Sequence, residues 1–368
     1  MAYGHDRADR LTPSSPPAGR LTSRWLTDVL APASEGAPGP VVLDVHAQPL
    51  GTGVGLLGTL QRLDLTWSAG GGPASVVVKG PAIAERTLDV AARFDLYRTE
   101  VCFYRDLAAA TGMAVPCHQA EIDERTQDFV IVLDDLSDAV ALDQVVGCPP
   151  DRAAAVVAAL ADLHARHWDG VDLSSAPWLR RLDHRDLVEA FQGAVRATWP
   201  QVRARSSSDL DESVVALGDR LAELVPVMTA VLARPPVTLV HGDARLDNVF
   251  FAGGERVALC DWQLTGLSRG VRDLAYFLTQ SLSAADRAVW ERPLVEAYVA
   301  RLAAQGVAGY GADQAWDDYR AATLLGLVYA VVAGGALDQA SPRSRELTHA
   351  MLQRAAAAAV DHDCASLG

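Results

Sequence analysis

The hydrophobic period changes once along this chain of 368 residues, and that change restricts the possible folds more than any other feature. Up to about residue 136, apolar side chains recur at every second position. In Thr59 to Trp67, for example, Leu63, Leu65 and Trp67 share one face of a strand. Val41 to Leu50, Ser75 to Lys79, Ala114 to Ile122 and Phe129 to Leu133 read as further strands, and the spacing of Val90, Phe94, Tyr97, Val101, Tyr104 and Leu107 predicts one helix over Leu88 to Ala110. Beyond Asp135 the helical spacing takes over. Helices are expected over Asp151 to Trp168, Leu187 to Trp199, Ser213 to Leu232, Ala284 to Gln305, Asp313 to Val332 and Arg343 to Val360. One short β-like stretch, Val237 to Asp261, is embedded among them, turning at Ala252 to Glu255. The expected class is α+β with two lobes: a small β-rich N-lobe over 41–136 and a larger helical C-lobe over 137–368. Residues 1–40 read as a disordered Pro/Gly/Ser-rich tail with a short amphipathic helix from Leu21 to Leu30.

The chemistry concentrates in that embedded stretch. His241-Gly242-Asp243-Ala244-Arg245-Leu246-Asp247-Asn248 places an aspartate and, five positions later, an asparagine on one loop. Phosphoryl transfer needs a carboxylate to orient an acceptor hydroxyl and oxygen ligands for Mg2+ between phosphates. Asp243 suits the first task and Asn248 the second. A hairpin after Asn248 returns the chain to Asp261-Trp262-Gln263, so that Asp261 becomes a second metal ligand. A solvated loop aspartate is the alternative for any one of these residues taken alone.

Upstream, Gly53-Val54-Gly55-Leu56-Leu57-Gly58 joins two strands instead of opening a helix. That placement fits a flap over nucleotide phosphates better than a dinucleotide fold. An ordinary glycine-rich hairpin is the alternative. Lys79, on the next strand, is the only lysine among the 32 basic residues. Lysine is a compact point charge and arginine a planar fork, so a lysine retained in an arginine-biased chain marks a site the fork does not fit. Glu100, 21 residues on (100 − 79), sits in the following helix where it can fix the lysine's rotamer, with Asp95 and Asp106 as second choices.

Together, Lys79, Glu100, the His241–Asn248 loop and Asp261 resemble the aminoglycoside phosphotransferase and choline kinase-like superfamily, relatives of the protein kinases. The resemblance runs from about Val41 to the C-terminus, and its specific part is the HGDxxxxN loop followed by DWQ. It implies a bilobal protein-kinase-like fold and an ATP-dependent small-molecule kinase, GTP not being excluded. It also implies Asp243 as catalytic base, Asn248 and Asp261 on Mg2+, Lys79 with Glu100 on the nucleotide, and Gly53, Gly55 and Gly58 over the phosphates. Leu133 to Leu136, including Asp135, would form a hinge whose backbone meets adenine. Asp273 would brace the catalytic loop, a role compatible with capping a helix before Leu274. Arg245, two residues after the base, either stabilises the transferring phosphoryl or pairs with Asp247 or Glu255. The absence of an APE-type segment favours a small hydroxylated acceptor over a protein. HGDxRxDN with DWQ looks most like the ecdysteroid-kinase-like and hydroxyacyl-type branches. A nucleotide-binding pseudokinase with a regulatory role is the competing reading.

The net charge of −14 argues against nucleic acid or an anionic membrane as partner. Five scattered cysteines without a CxxC pair indicate neither a disulfide framework nor a zinc site and fit a reducing cytoplasm. The apolar run Ala321 to Leu337 reads as a buried helix. His164 and His167 have metal-ligand spacing but no third ligand, and Trp262, Gln263, Arg269, Asp318 and Tyr319 are candidates for the acceptor site.

Overall fold

The computed structural model describes residues 21–31, 39–50, 58–83, 85–170, 174–253, 256–337 and 339–366. Helix α1 (Ser23–Leu30) leads into a five-stranded antiparallel sheet. Its strands are β1 (Val42–Leu50), β2 (Gly58–Trp67), β3 (Ser75–Pro81), β4 (Cys117–Ile122) and β5 (Phe129–Asp134), in the order β1-β2-β3-β5-β4. Alternation assigns the two faces. Val76, Val78, Val130 and Val132 pack with Leu63, Trp25 and Leu26 of α1. Phe129, Ile131 and Leu133 join the large core on the opposite face. Lys79 follows Val78 and pairs in register with Leu60 and Ile131, so it shares the inner face with Ile131.

Between β3 and β4 the single expected helix is three: α2 (Glu85–Phe94), α3 (Leu96–Asp106) and α4 (Ala108–Thr111). Asp95 breaks the run at φ +56°, a left-handed conformation that aspartate tolerates better than most residues. Its carboxylate is held by Arg180 at 2.8 Å. Only one residue leaves the helix there, so the apolar period continues across the break and conceals it. Of the second-choice partners for Lys79, Asp95 is thus committed to Arg180, and Asp106 to Arg105 and the Trp178 indole, each at 2.8 Å.

The C-lobe contains β6 (Val140–Ala141), α5 (Pro150–Arg166), α6 (Arg185–Ser206) and α7 (Glu212–Leu232), then β7 (Thr238–Val240), β8 (Val249–Ala252), β9 (Arg256–Leu259) and β10 (Gly266–Ser268). It closes with α8 (Val271–Ser281), α9 (Ala284–Ala304), α10 (Ala312–Ala336) and α11 (Pro342–Asp361). Helix α6 passes through Pro200, beyond its expected end at Trp199. Every residue of α8 is buried, so the helix has no polar stripe and the period of three and four does not reveal it. Helix α10 is long and apolar enough to cross a membrane, but it is mostly buried and packs on α6, α7, α8, α9 and α11 as a core helix. The mixed fold therefore matches the expected class: an antiparallel sheet first, a helical lobe second.

Candidate active site

The β8–β9 hairpin brings the two acidic stretches together. Val249 pairs with Leu259, and the Cys260 N–H donates to Asn248 O at 3.1 Å, so Asp261 emerges beside the end of the His241–Asn248 loop. Asn248 Nδ2 donates to both the main-chain oxygen of Asp243 (2.9 Å) and its Oδ2 (3.0 Å). Asp243 is thereby fixed in a buried position. Burial pushes its carboxyl above the usual range, and the neighbouring Asp261 charge adds to the shift, with Arg245 opposing.

The loop itself hangs on Asp273. Its Oδ2 accepts from His241 N at 2.6 Å and its Oδ1 from Gly242 N at 2.8 Å. His164 Nε2, 3.3 Å away, completes the shell. Asp273 is the third residue of α8 and Gly270 occupies the N-cap, so Asp273 holds the loop without serving as the helix cap. His241 accepts from Asp243 N through Nδ1 (3.2 Å), which leaves Nε2 to donate to Cys260 O at 2.9 Å. At Gly242 φ is +85°, and a Cβ there would lie 2.0 Å from Leu264 O. Gly242→Ala is therefore expected to cost about 2 kcal/mol or more through backbone strain and displacement of the loop. Chemical denaturation beside an activity assay should show stability and turnover falling together.

Across the lobes, Lys79 Nζ lies 2.8 Å from Glu100 Oε1 and 2.8 Å from Asp261 Oδ1. The expected Lys79–Glu100 pair is present, and the same ammonium reaches Asp261. Burial opposes the charge of Asp261, but the ammonium outweighs it and holds that carboxyl below its usual range. Glu100, more deeply enclosed, is pushed up by burial to about 7 despite Lys79. Asp261 thus stays ionised at neutral pH.

Other expectations fall differently. Gly53 and Gly55 lie outside the described residues. Gly58 is the first residue of β2, where a Cβ would stand 2.7 Å from Gly80 O, so glycine serves the approach of two strands. Leu133 is buried in β5, and Asp135 uses its side chain on Arg62 (2.7 Å) and Ser75 (2.6 Å) at the turn between the lobes. Arg245 pairs with Asp247 at 2.6 Å, while its Nε stays 3.7 Å from Asp243 Oδ1. His164 bonds Tyr298 and Asp273, and it forms no metal cluster with His167. Four of the acceptor candidates belong to the core instead. Trp262 stacks on Phe103 at 4.0 Å, Arg269 and Asp318 form a buried pair, and Tyr319 bonds Glu291.

The donor set fits Mg2+. Asp261 is an ionised carboxylate, and Asn248, with Nδ2 engaged by Asp243, offers its amide oxygen. Among the described residues no cluster of three or more His, Cys, Asp or Glu could cage an ion. Mg2+ needs none, because it takes one or two carboxylates and completes its shell with water and substrate phosphates.

The sequence pattern of the phosphotransferase enzyme family matches residues 64–322, from within β2 to within α10. The chain belongs to that family. The matched stretch of this phosphotransferase-family chain contains Lys79, Glu100, Asp243, Asn248, Asp261 and Asp273. No curated protein matches it as a sequence relative. Its fold is similar to that of a crystal structure described as a putative aminoglycoside phosphotransferase from Ralstonia eutropha JMP134, at TM-score 0.52 and 16% identity, covering 92% of this chain and 96% of that one. It is also similar to an amicoumacin kinase in complex with AMP-PNP, Ca2+ and Ami (TM-score 0.52, 12% identity, 84% and 86% covered). The GDP complex of aminoglycoside 2'-phosphotransferase-IIIa is comparable, at TM-score 0.51 and 13% identity, with 85% and 94% covered.

Proposed function

We propose that this phosphotransferase moves the γ-phosphoryl group of Mg-ATP onto a hydroxyl of a small-molecule acceptor in the cytoplasm. The observation that carries the reading is the meeting of two bonded groups, Asn248 with Asp243 and Lys79 with Glu100 and Asp261, which the backbone bond from Cys260 N to Asn248 O holds side by side. Free thiols at all five cysteines accord with a reducing compartment.

In this reading Asp243 takes the proton of the acceptor hydroxyl. The acceptor oxygen forms its bond to the γ-phosphorus as the bond from that phosphorus to the bridging oxygen breaks, releasing ADP and the phosphoester. Asn248 and Asp261 would hold the Mg2+, which neutralises charge on the phosphates. Lys79, oriented by Glu100, positions the nucleotide. Arg245 is oriented by Asp247 toward the same carboxylate cluster, where its charge offsets that of Asp243.

The test is mass spectrometry on a panel of hydroxylated acceptors with Mg-ATP or Mg-GTP. One phosphoryl group gained on an acceptor, and lost on chelating Mg2+, is the expected result. Tight nucleotide binding with neither acceptor modification nor nucleotide hydrolysis would favour the regulatory, pseudokinase reading.

A further inference from the structure

Next to the Asp261 end of the site lies a pocket whose walls include Trp178, Arg180, Phe191, Gln263, Thr265 and Arg272, with no acidic side chain among its lining residues. Arg180 is compensated by Asp95. Arg272 is not. It is 3% exposed, its Nη2 donates to the Tyr329 hydroxyl at 2.6 Å, and its Nε is buried with no hydrogen-bond partner. Among the described residues no carboxylate stands within ion-pair distance of this guanidinium; its neighbour in sequence, Asp273, feels its charge but spends its oxygens on His241, Gly242 and His164. Leaving a buried N–H of a guanidinium without an acceptor is expensive, so the site suits an anion that arrives from outside.

Gln263 adds a second unmet group. The residue is 5% exposed, Nε2 reaches Asp261 Oδ2 at 3.3 Å, and Oε1 is buried without a donor. Two packed tyrosines link Arg272 to Asp243. Tyr276, whose buried hydroxyl feels the Asp243 charge, packs edge-on against Tyr329 at 4.7 Å, and Tyr329 carries the Arg272 contact.

We infer that this pocket binds the carboxylate of the acceptor, making the substrate class hydroxylated carboxylic acids. The carboxylate lies along the Nε edge of Arg272, where a planar fork meets a planar anion. Gln263 Oε1 receives a hydroxyl or amide N–H of the same molecule. The reacting hydroxyl then reaches toward Asp243, past the Tyr276 ring. This inference rests on the kinase reading above and adds the charge of the substrate, excluding the amino alcohols.

The test uses the full chain with Mg-ATP and three hydroxy acids (lactate, 3-hydroxybutyrate and 3-phenyllactate), each beside its neutral amide, with choline and ethanolamine as cations. An acid is expected to exceed its amide in kcat/KM by about 10- to 100-fold, the scale of a charged hydrogen bond. Arg272→Met should collapse that ratio through KM for the acid, and Arg272→Lys should restore part of it, which a merely structural arginine would not do. If Arg272→Met does not fold, the ratio in the parent protein decides. Preference for an amide or a cation overturns the inference while leaving the kinase reading intact. So does the failure of every acid both to be phosphorylated and to raise the Tm of the Mg–AMP-PNP-loaded protein. Acids that raise Tm while no acceptor of any charge is phosphorylated would support the pocket and sink the kinase reading.

Discussion

Asp243→Asn is expected to lower turnover by about 10²- to 10⁴-fold, the usual contribution of a positioned general base, while leaving the folded protein at least as stable as the parent. The two effects part company because of where the carboxylate sits. Burial raises its pKa above the unfolded value, and Asp261 reinforces the shift. A carboxyl raised in the folded state favours folding only while protonated, and that contribution is lost as pH rises through the folded pKa. The asparagine never ionises, so the variant's stability relative to the parent should improve as pH rises from the ordinary aspartate range through the raised folded pKa. Asn248 still meets a side chain of the same shape. The parent's activity should decline on acidification with a midpoint above the ordinary aspartate range. Calorimetry and initial rates at several pH values measure both. Activity lost in step with stability would make Asp243 structural, and activity retained would remove it from the chemistry.

Lys79→Met has the second large effect, and here stability does suffer. The ammonium lies between Glu100 and Asp261, so its removal leaves two carboxylates facing each other in a buried space. Breaking a buried pair from one side costs about 3–5 kcal/mol. Glu100 already stands near 7, so it is the group that takes up a proton in response. The deficit should therefore be largest at pH 8 and shrink toward pH 5. Adding Glu100→Gln to Lys79→Met should recover much of the stability without recovering nucleotide affinity. Denaturant titrations and nucleotide binding on the parent, single and double variants separate the two roles. A Lys79→Met protein as stable as the parent at pH 8 would show that the pair contributes little to the fold.

What the chain disclosed in advance followed from how each feature is encoded. The His241–Asn248 loop and the Asp261–Gln263 stretch are each written in contiguous residues, and the mixed class in a change of hydrophobic period, so both could be read. The Lys79–Glu100 pair was legible because a strand followed by a packed helix leaves few carboxylates within reach. Helix α8 was not legible from its period, only from the capping position of Asp273, because burial on every side removes the contrast on which periodicity depends. Asp95 concealed a helix break that only a backbone angle discloses. Trp262 and Tyr319 were assigned to the acceptor site by nearness in sequence, but the side on which a residue faces is set by packing, and stacking on Phe103 turned Trp262 inward. Arg272 drew no attention because an arginine in an arginine-rich chain is unremarkable until its buried Nε proves to lack an acceptor.

The sole ε-amine of the chain is 7% exposed and lies between the lobes. Apart from the amino terminus, acylating reagents, amine-directed crosslinkers and lysine-conjugating enzymes have no other target, and this one is shielded by two carboxylates. The outer surface is in effect blank to amine chemistry. The pace at which a label enters Lys79 would thus serve as a clock for the parting of the two lobes, with the amino terminus as the one background to subtract.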